Sequence, residues 1–298
     1  MGICPFMQNR TLKKEEIIMS TNKLHLSLEV FPPKKQEDFP NAHAVLDSLS
    51  QLNPEFISVT YGAGGSNSKK TVDIASYIQN TLHIPSVAHL TCVGNTKQDI
   101  LNVVEELKKA NISRILALRG DRPASMSDEQ YNSREFTYAT DLVTFLKENT
   151  DITLMGGCYP EKHFEAPSME EDLIHLKEKT DAGCGILISQ LFFDNDFFYR
   201  FLEKADKIGI KADFHAGIMP ITTAKQLGTT VSLSGSSVPK KLADIIATYG
   251  DNADDMRKAG IDFAVSQIMD LQAHGIHGIH LYSMNKPKTT TEIVNAIR

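Results

Sequence analysis

The strongest constraint on this chain is an alternation. Short apolar runs of strand length are each followed by a stretch of helical periodicity, eight times over. The strand signals fall at residues 24–30, 55–60, 86–90, 113–118, 152–155 (extending toward Cys158), 185–189, 211–215 and 279–282. Between them, apolar residues recur at three- and four-residue spacing. Ala44, Val45, Leu49 and Leu52 share one face, and Ile100, Val103, Val104 and Leu107 share another. Helices are expected at 41–52, 68–79, 96–109, 139–148, 169–179, 197–207, 225–227, 240–249, 253–273 and 290–297. Alternating βα units imply a parallel sheet. Eight units in 298 residues fit an α/β fold of the (β/α)8 TIM-barrel type. Residues 23–298 then form the barrel and residues 1–22 a short N-terminal extension. A doubly wound open sheet is the runner-up, because periodicity alone does not show closure.

Composition narrows the function. The net charge of −6, with no basic stripe interleaved with aromatics, argues against nucleic acid as a partner. No run approaches the roughly 18 apolar residues that span a bilayer, and the N-terminus lacks a secretory apolar core. A cytoplasmic protein with no membrane partner is expected. Cys4, Cys92, Cys158 and Cys184 are scattered without a CxxC pair, which supports neither zinc nor a disulfide framework. The last three lie in or beside apolar runs and read as small core residues. His274, His277 and His280 recur every three residues, but Gly275 and Gly278 break the stretch, so no metal site is expected.

In a barrel the functional rim is built by the residues just past the end of each strand. The apolar run 115–118 stops at Arg119-Gly120-Asp121. The first strand delivers Glu29, whose burial would raise its pKa into the range of a general acid. The other ends carry Thr60 and Tyr61, His89, Tyr159 to His163, Gln190, Tyr282 and Lys286. Any one could be structural; polar groups at nearly every strand end are harder to explain that way. The segment Gly62 to Asn67 lacks the third glycine of a dinucleotide fingerprint, and no Walker A or GxSxG motif occurs. Nothing supports Cys158 and His163 as a nucleophile and base. Leu173, Leu176 and Ile174 read as a core stripe, with Asp172, His175 and Lys179 on its polar side.

Together these segments resemble the methylenetetrahydrofolate reductase family, in its FAD-dependent bacterial form. The resemblance rests on Leu28-Glu29-Val30-Phe31-Pro32-Pro33, Ser58-Val59-Thr60-Tyr61-Gly62-Ala63, His89-Leu90-Thr91-Cys92, Leu116-Ala117-Leu118-Arg119-Gly120-Asp121, Tyr159-Pro160-Glu161 with His163, and Gln190-Leu191-Phe192-Phe193-Asp194. It runs from about residue 24 to the C-terminus. It implies a barrel with non-covalent FAD that reduces 5,10-methylenetetrahydrofolate to 5-methyltetrahydrofolate, supplying methyl groups for methionine. NADH or NADPH reduces the flavin and leaves, and the folate then accepts hydride in the same site.

By that resemblance Glu29 supplies a proton at folate N10, and Asp121 sits near flavin and pterin. Glu29, Asp121, Gln190 and Lys286 contact the folate. The FAD contacts are Thr60, Tyr61, Ala63, His89, Arg119, Gly120, Asp121, Ala139, Tyr159, His163, Ala166, Asp172, His175 and Lys179. Arg119, His163 and Lys179 suit the pyrophosphate, and Asp172 suits the ribose hydroxyls. Relatives can place a Phe where this chain has Ala224, which leaves open a partner-protein electron donor. A flavin- or folate-binding subunit without turnover is a further alternative, although such a binder has no use for a buried acid. A pterin-binding methyltransferase barrel is a third reading, with no use for Tyr159, His163 and Lys179. Homo-oligomerisation stays open on architectural grounds alone.

Overall fold

The computed structural model describes residues 24–61, 68–123 and 125–298. Ala63 and the 1–22 extension lie outside the described residues. Eight strands follow one another: β1 (His25–Val30), β2 (Phe56–Val59), β3 (Ser86–Thr91), β4 (Arg114–Leu118), β5 (Thr153–Cys158), β6 (Ile186–Ser189), β7 (Asp213–Ile218) and β8 (Gly278–Tyr282). Each pairs in parallel with the next, and β8 pairs with β1, so the sheet closes. Closure settles the choice between barrel and open sheet. The helices are α1 (Phe39–Ser50), α2 (Ser68–Ser76), α3 (Lys97–Lys109), α4 (Asp128–Asn132), α5 (Ala139–Asn149), α6 (Met169–Asp181), α7 (Asn195–Lys207), α8 (Ala224–Ser234), α9 (Lys240–Tyr249), α10 (Ala253–Ala273) and α11 (Pro287–Ile297).

Strand alternation separates two cores. On β1, Leu26, Leu28 and Val30 join the large apolar cluster shared with the helices. Each such side chain contributes about 1.5–3 kcal/mol by burial. Ser27 and Glu29 turn the other way, into the lumen. There Phe56, Val87, Leu116, Met155 and Ile188 form a separate apolar layer.

Several boundaries differ from the sequence-based expectation. β7 is Asp213–Ile218 rather than 211–215, because His215 and Gly217 interrupt its apolar run while facing the lumen. The expected fragment 225–227 is the full helix α8, fixed by Thr223 accepting from the Gln226 amide and by Gly235 in the left-handed region. Gly228, Thr229 and Thr230 weaken its helical signal. The last helix begins at Pro287, where proline's fixed φ suits a first turn. Ile174 is 54% exposed, so only Leu173 and Leu176 of that stripe are core. Cys92, Cys158 and Cys184 are buried as expected, and burial pushes the Cys158 thiol up to about 12.

Candidate active site

The acid candidate sits on β1, one pleat above Ser27. The Glu29 side chain is 21% exposed, and its Oε2 lies 3.5 Å from His89 Nε2 and 3.8 Å from His280 Nε2. Burial raises the carboxyl pKa, and the nearby His89 offsets this in part. Burial also lowers both imidazoles, His280 to about 3. The rings are therefore neutral at physiological pH, and the carboxyl is held toward its protonated form. Tyr282, paired across the closing seam with Glu29, donates to the Ser189 carbonyl at 2.8 Å. Its seat depends on Gly217, where a Cβ would meet the Tyr282 ring at 2.9 Å.

The turn after β4 is as constrained. Gly120 has φ +81°, and a Cβ there would meet Thr91 Cβ at 2.8 Å. Backbone amides of Cys92 and Val93 donate to the Arg119 carbonyl at 3.2 and 2.9 Å. This clasp sends Arg119 and Asp121 to different cavities. Asp121 lines a cavity of about 590 Å³ together with Tyr159, His163, Gln190, Met219 and Lys286. Gln190 Oε1 accepts from the Leu191 amide at 2.9 Å, leaving its NH2 group to a ligand. Lys286 Nζ donates to Thr222 Oγ1 at 3.2 Å.

A second cavity of about 350 Å³ adjoins, and Tyr159 and His163 line both. It gathers Arg119, Ala139, Ala166, Asp172, His175 and Lys179. Lys179 Nζ donates to the Gly157 carbonyl at 2.8 Å, and burial lowers its pKa. Its stem crosses Gly156, where a Cβ would meet Lys179 Cδ at 2.9 Å. Asp172 Oδ2 accepts from the His163 amide at 2.9 Å and so fixes the loop between β5 and α6. Burial and the charge of Arg119 lower the His163 pKa. The His175 ring stacks on Tyr138, centroids 5.6 Å apart.

Glu165, which the sequence did not single out, makes a bidentate pair with Arg119, one contact at 2.9 Å. Its position two residues after His163 in the same loop was the available signal. The cleft thus combines two cations, Arg119 and Lys179, with three carboxylates, Glu165, Glu171 and Asp172, beside the stacked Tyr138–His175 pair. The remaining expected contacts fall elsewhere. Thr60 and Tyr61 end β2 outside both cavities, with Thr60 bonded through its carbonyl to Thr71 Oγ1 at 3.0 Å. His89 faces Glu29. Ala224 opens α8, and a Cβ on Gly250 would meet its methyl at 3.5 Å. Its neighbours Thr223, Lys225 and Gln226 line the larger cavity. The histidine tract separates: His274 pairs with Asp270 at the surface, while His280 enters the lumen.

Among the described residues, no helix is long and apolar enough to cross a membrane. By fold, the chain is similar to an uncharacterized Clostridium thermocellum protein that binds two copies of 5-methyl-5,6,7,8-tetrahydrofolic acid. The TM-score is 0.64 at 14% identity, covering 95% of this chain and 97% of that one. By sequence it is 31% identical over 275 residues to the Escherichia coli 5,10-methylenetetrahydrofolate reductase, covering 92% of this chain and 91% of that protein. It is 32% identical to an Arabidopsis thaliana methylenetetrahydrofolate reductase (NADH) 1, covering 96% of this chain and 50% of that one. The family model described as methylenetetrahydrofolate reductase matches residues 14–298. On a match that spans the barrel from first strand to last, the chain belongs to the methylenetetrahydrofolate reductase family.

Proposed function

We propose that this chain is an FAD-dependent reductase that converts 5,10-methylenetetrahydrofolate to 5-methyltetrahydrofolate, with NADH or NADPH as donor. Family membership supports the folate reduction. The observation that carries the mechanism is Glu29, a carboxyl kept toward its protonated form in the lumen between two neutral imidazoles. When bound, FAD supplies the hydride relay between nicotinamide and folate. Arg119 and Lys179 would hold its pyrophosphate, and Asp172 its ribose hydroxyls. The Tyr138–His175 pair offers a stacking face for the adenine.

Glu29 gives its proton to folate N10, which opens the bridging methylene to an N5 iminium able to accept hydride. Asp121 hydrogen-bonds the pterin, and Gln190 donates its free NH2 to it. Lys286 pairs with the glutamate tail as a point charge. Product carries methyl groups toward methionine. The NADH named in the Arabidopsis relative supports a nicotinamide donor. Ala224 favours a second reading, a protein donor: by the resemblance, relatives can place a Phe at this position, and Ala offers no ring against which a nicotinamide could stack.

One experiment tests both. Visible spectra of the holoenzyme are recorded anaerobically, then after NADH, then after methylenetetrahydrofolate. Bleaching by NADH and recovery with folate is expected. Bleaching only by dithionite, followed by recovery with folate, would replace the nicotinamide with another donor. No recovery with folate would refute the reductase reading.

A further inference from the structure

Helix α8 spans the larger cavity from end to end. Just before its start, Thr222 Oγ1 accepts from Lys286 Nζ at 3.2 Å, and Thr223 caps the first turn. Past its last turn, Ser236 Oγ donates to the Leu191 carbonyl at 2.8 Å, and the Ser237 amide donates to the Glu161 carboxylate at 3.0 Å. The 11 residues of the helix separate these anchors by about 16 Å at the usual rise. Lys286 therefore marks one end of the cavity, and the loops after β5 and β6 mark the other.

At that second end two large apolar side chains are left open. Leu233, in the last turn of α8, is 79% exposed, and Phe164, three residues after Glu161, is 64% exposed. Among the described residues they are the two most exposed large hydrophobic side chains, and both line this cavity. Apolar surface left open inside a concave site is surface for a ligand to cover. The Phe164 ring is built as a platform. It stacks on the His163 ring, centroids 4.7 Å apart and planes 24° apart, and His163 meets Tyr159 edge-on. The backbone beneath is pinned. Asp172 holds the His163 amide at 2.9 Å, and Lys162, at φ +78°, turns its Nζ back to the His163 carbonyl at 3.1 Å. A ring held in this way loses little freedom when a second ring stacks on it.

We propose that Phe164 and Leu233 clamp the adenine of a reduced nicotinamide dinucleotide, so that the donor is held at both of its rings. The proposal rests on the reductase reading and deepens it by naming what recognises the donor. In that reading the folate leaves this end free. Its pterin meets Asp121 and Gln190 and its glutamate tail meets Lys286, so its p-aminobenzoyl ring lies between them, toward the start of α8. The dinucleotide, using the same cavity in its turn, carries a second flat ring beyond its pyrophosphate. Adenine is planar and uncharged, and an aromatic face with an aliphatic side chain opposite it suits such a ring. The first turn of α8 offers no aromatic face at Ala224; the open ring lies at the other end of the cavity, on the loop after β5.

The test separates the donor's two rings and the two half-reactions. Flavin reduction in the full-length holoenzyme is followed anaerobically by stopped flow against NADH and against reduced nicotinamide mononucleotide, which lacks adenine. Inhibition by ADP-ribose, which keeps adenine and lacks nicotinamide, is measured alongside. Reoxidation by methylenetetrahydrofolate is followed separately. Phe164→Ala and Leu233→Ala should each weaken NADH and ADP-ribose binding at least about fivefold. Reduction by the mononucleotide and the apparent folate affinity should stay within twofold of wild type. Phe164→Trp, which keeps an aromatic face, should restore NADH binding. NADH affinity within twofold of wild type in Phe164→Ala would overturn the clamp. Equal losses for NADH and the mononucleotide would also overturn it, because a distorted cavity behaves that way. A loss confined to folate would overturn it by giving the ring to the p-aminobenzoyl group. A wild-type flavin that dithionite reduces and NADH does not would remove the nicotinamide donor, and the clamp with it.

Discussion

Replacing Gly120 with alanine should break the turn on which both cavities depend. The backbone there has φ +81°, and an alanine Cβ would lie 2.8 Å from Thr91 Cβ and 3.0 Å from Thr91 Cγ2. Left-handed backbone costs a residue with a Cβ about 1–2 kcal/mol. Forcing a carbon into occupied space adds about 1–3 kcal/mol. The sum is about 2–5 kcal/mol, large against the marginal stability of a domain. Urea denaturation of Gly120→Ala should show that loss in the midpoint with the slope unchanged. The two contributions separate in a double-mutant cycle. Thr91→Gly removes the clash and leaves the backbone strain, so the pair should lose about 1–3 kcal/mol less than the sum of the singles. A single-variant loss below about 0.5 kcal/mol, or strict additivity, would refute the reasoning.

Glu29→Gln should keep flavin reduction and lose about 10²–10⁴-fold in folate reduction; near-normal folate turnover would remove the acid assignment. The same variant carries a stability signature. Because the folded pKa lies above the ordinary 4.5, the stability Glu29 contributes is full below that value and is lost as pH rises through the folded pKa. Glu29→Gln should therefore gain on the wild type in urea melts at pH 8 relative to pH 4.5, and a stability difference, variant minus wild type, that falls between those two pH values would contradict this. Arg119→Lys surrenders the bidentate geometry now matched to Glu165, and FAD affinity by fluorescence titration should fall about tenfold. Lys179→Met should release FAD more readily while leaving the flavin-free barrel no less stable in thermal melts, since a largely buried cation is removed.

Much of the fold was legible because a strand buried on both faces must be apolar throughout. Residues 115–118 and 185–189 could hardly be anything else. β7 was misplaced because its lumen face carries His215 and Gly217, residues chosen for the interior of the barrel and not for its wall. The rim residues were legible from their place after each strand. Their partners were not, since spacing says nothing of which loops meet. Glu165 reaches Arg119 from a different βα loop. His280 stood out in the sequence only as one of a run of three histidines, because only ring closure brings β8 beside β1.

That closure sets when the site comes into being. Ser27 and His280 lie 253 residues apart, and Glu29 meets Tyr282 only across the last seam. Contacts of such separation carry the greatest loop-closure entropy and form late. A nascent chain that has emerged through β7 has most of its wall but no completed acid site, and its first strand still exposes an edge. Capacity for chemistry arrives in one step with the final stretch of chain that carries β8, at the same moment that the open edge, and its hazard of pairing with another chain, disappears.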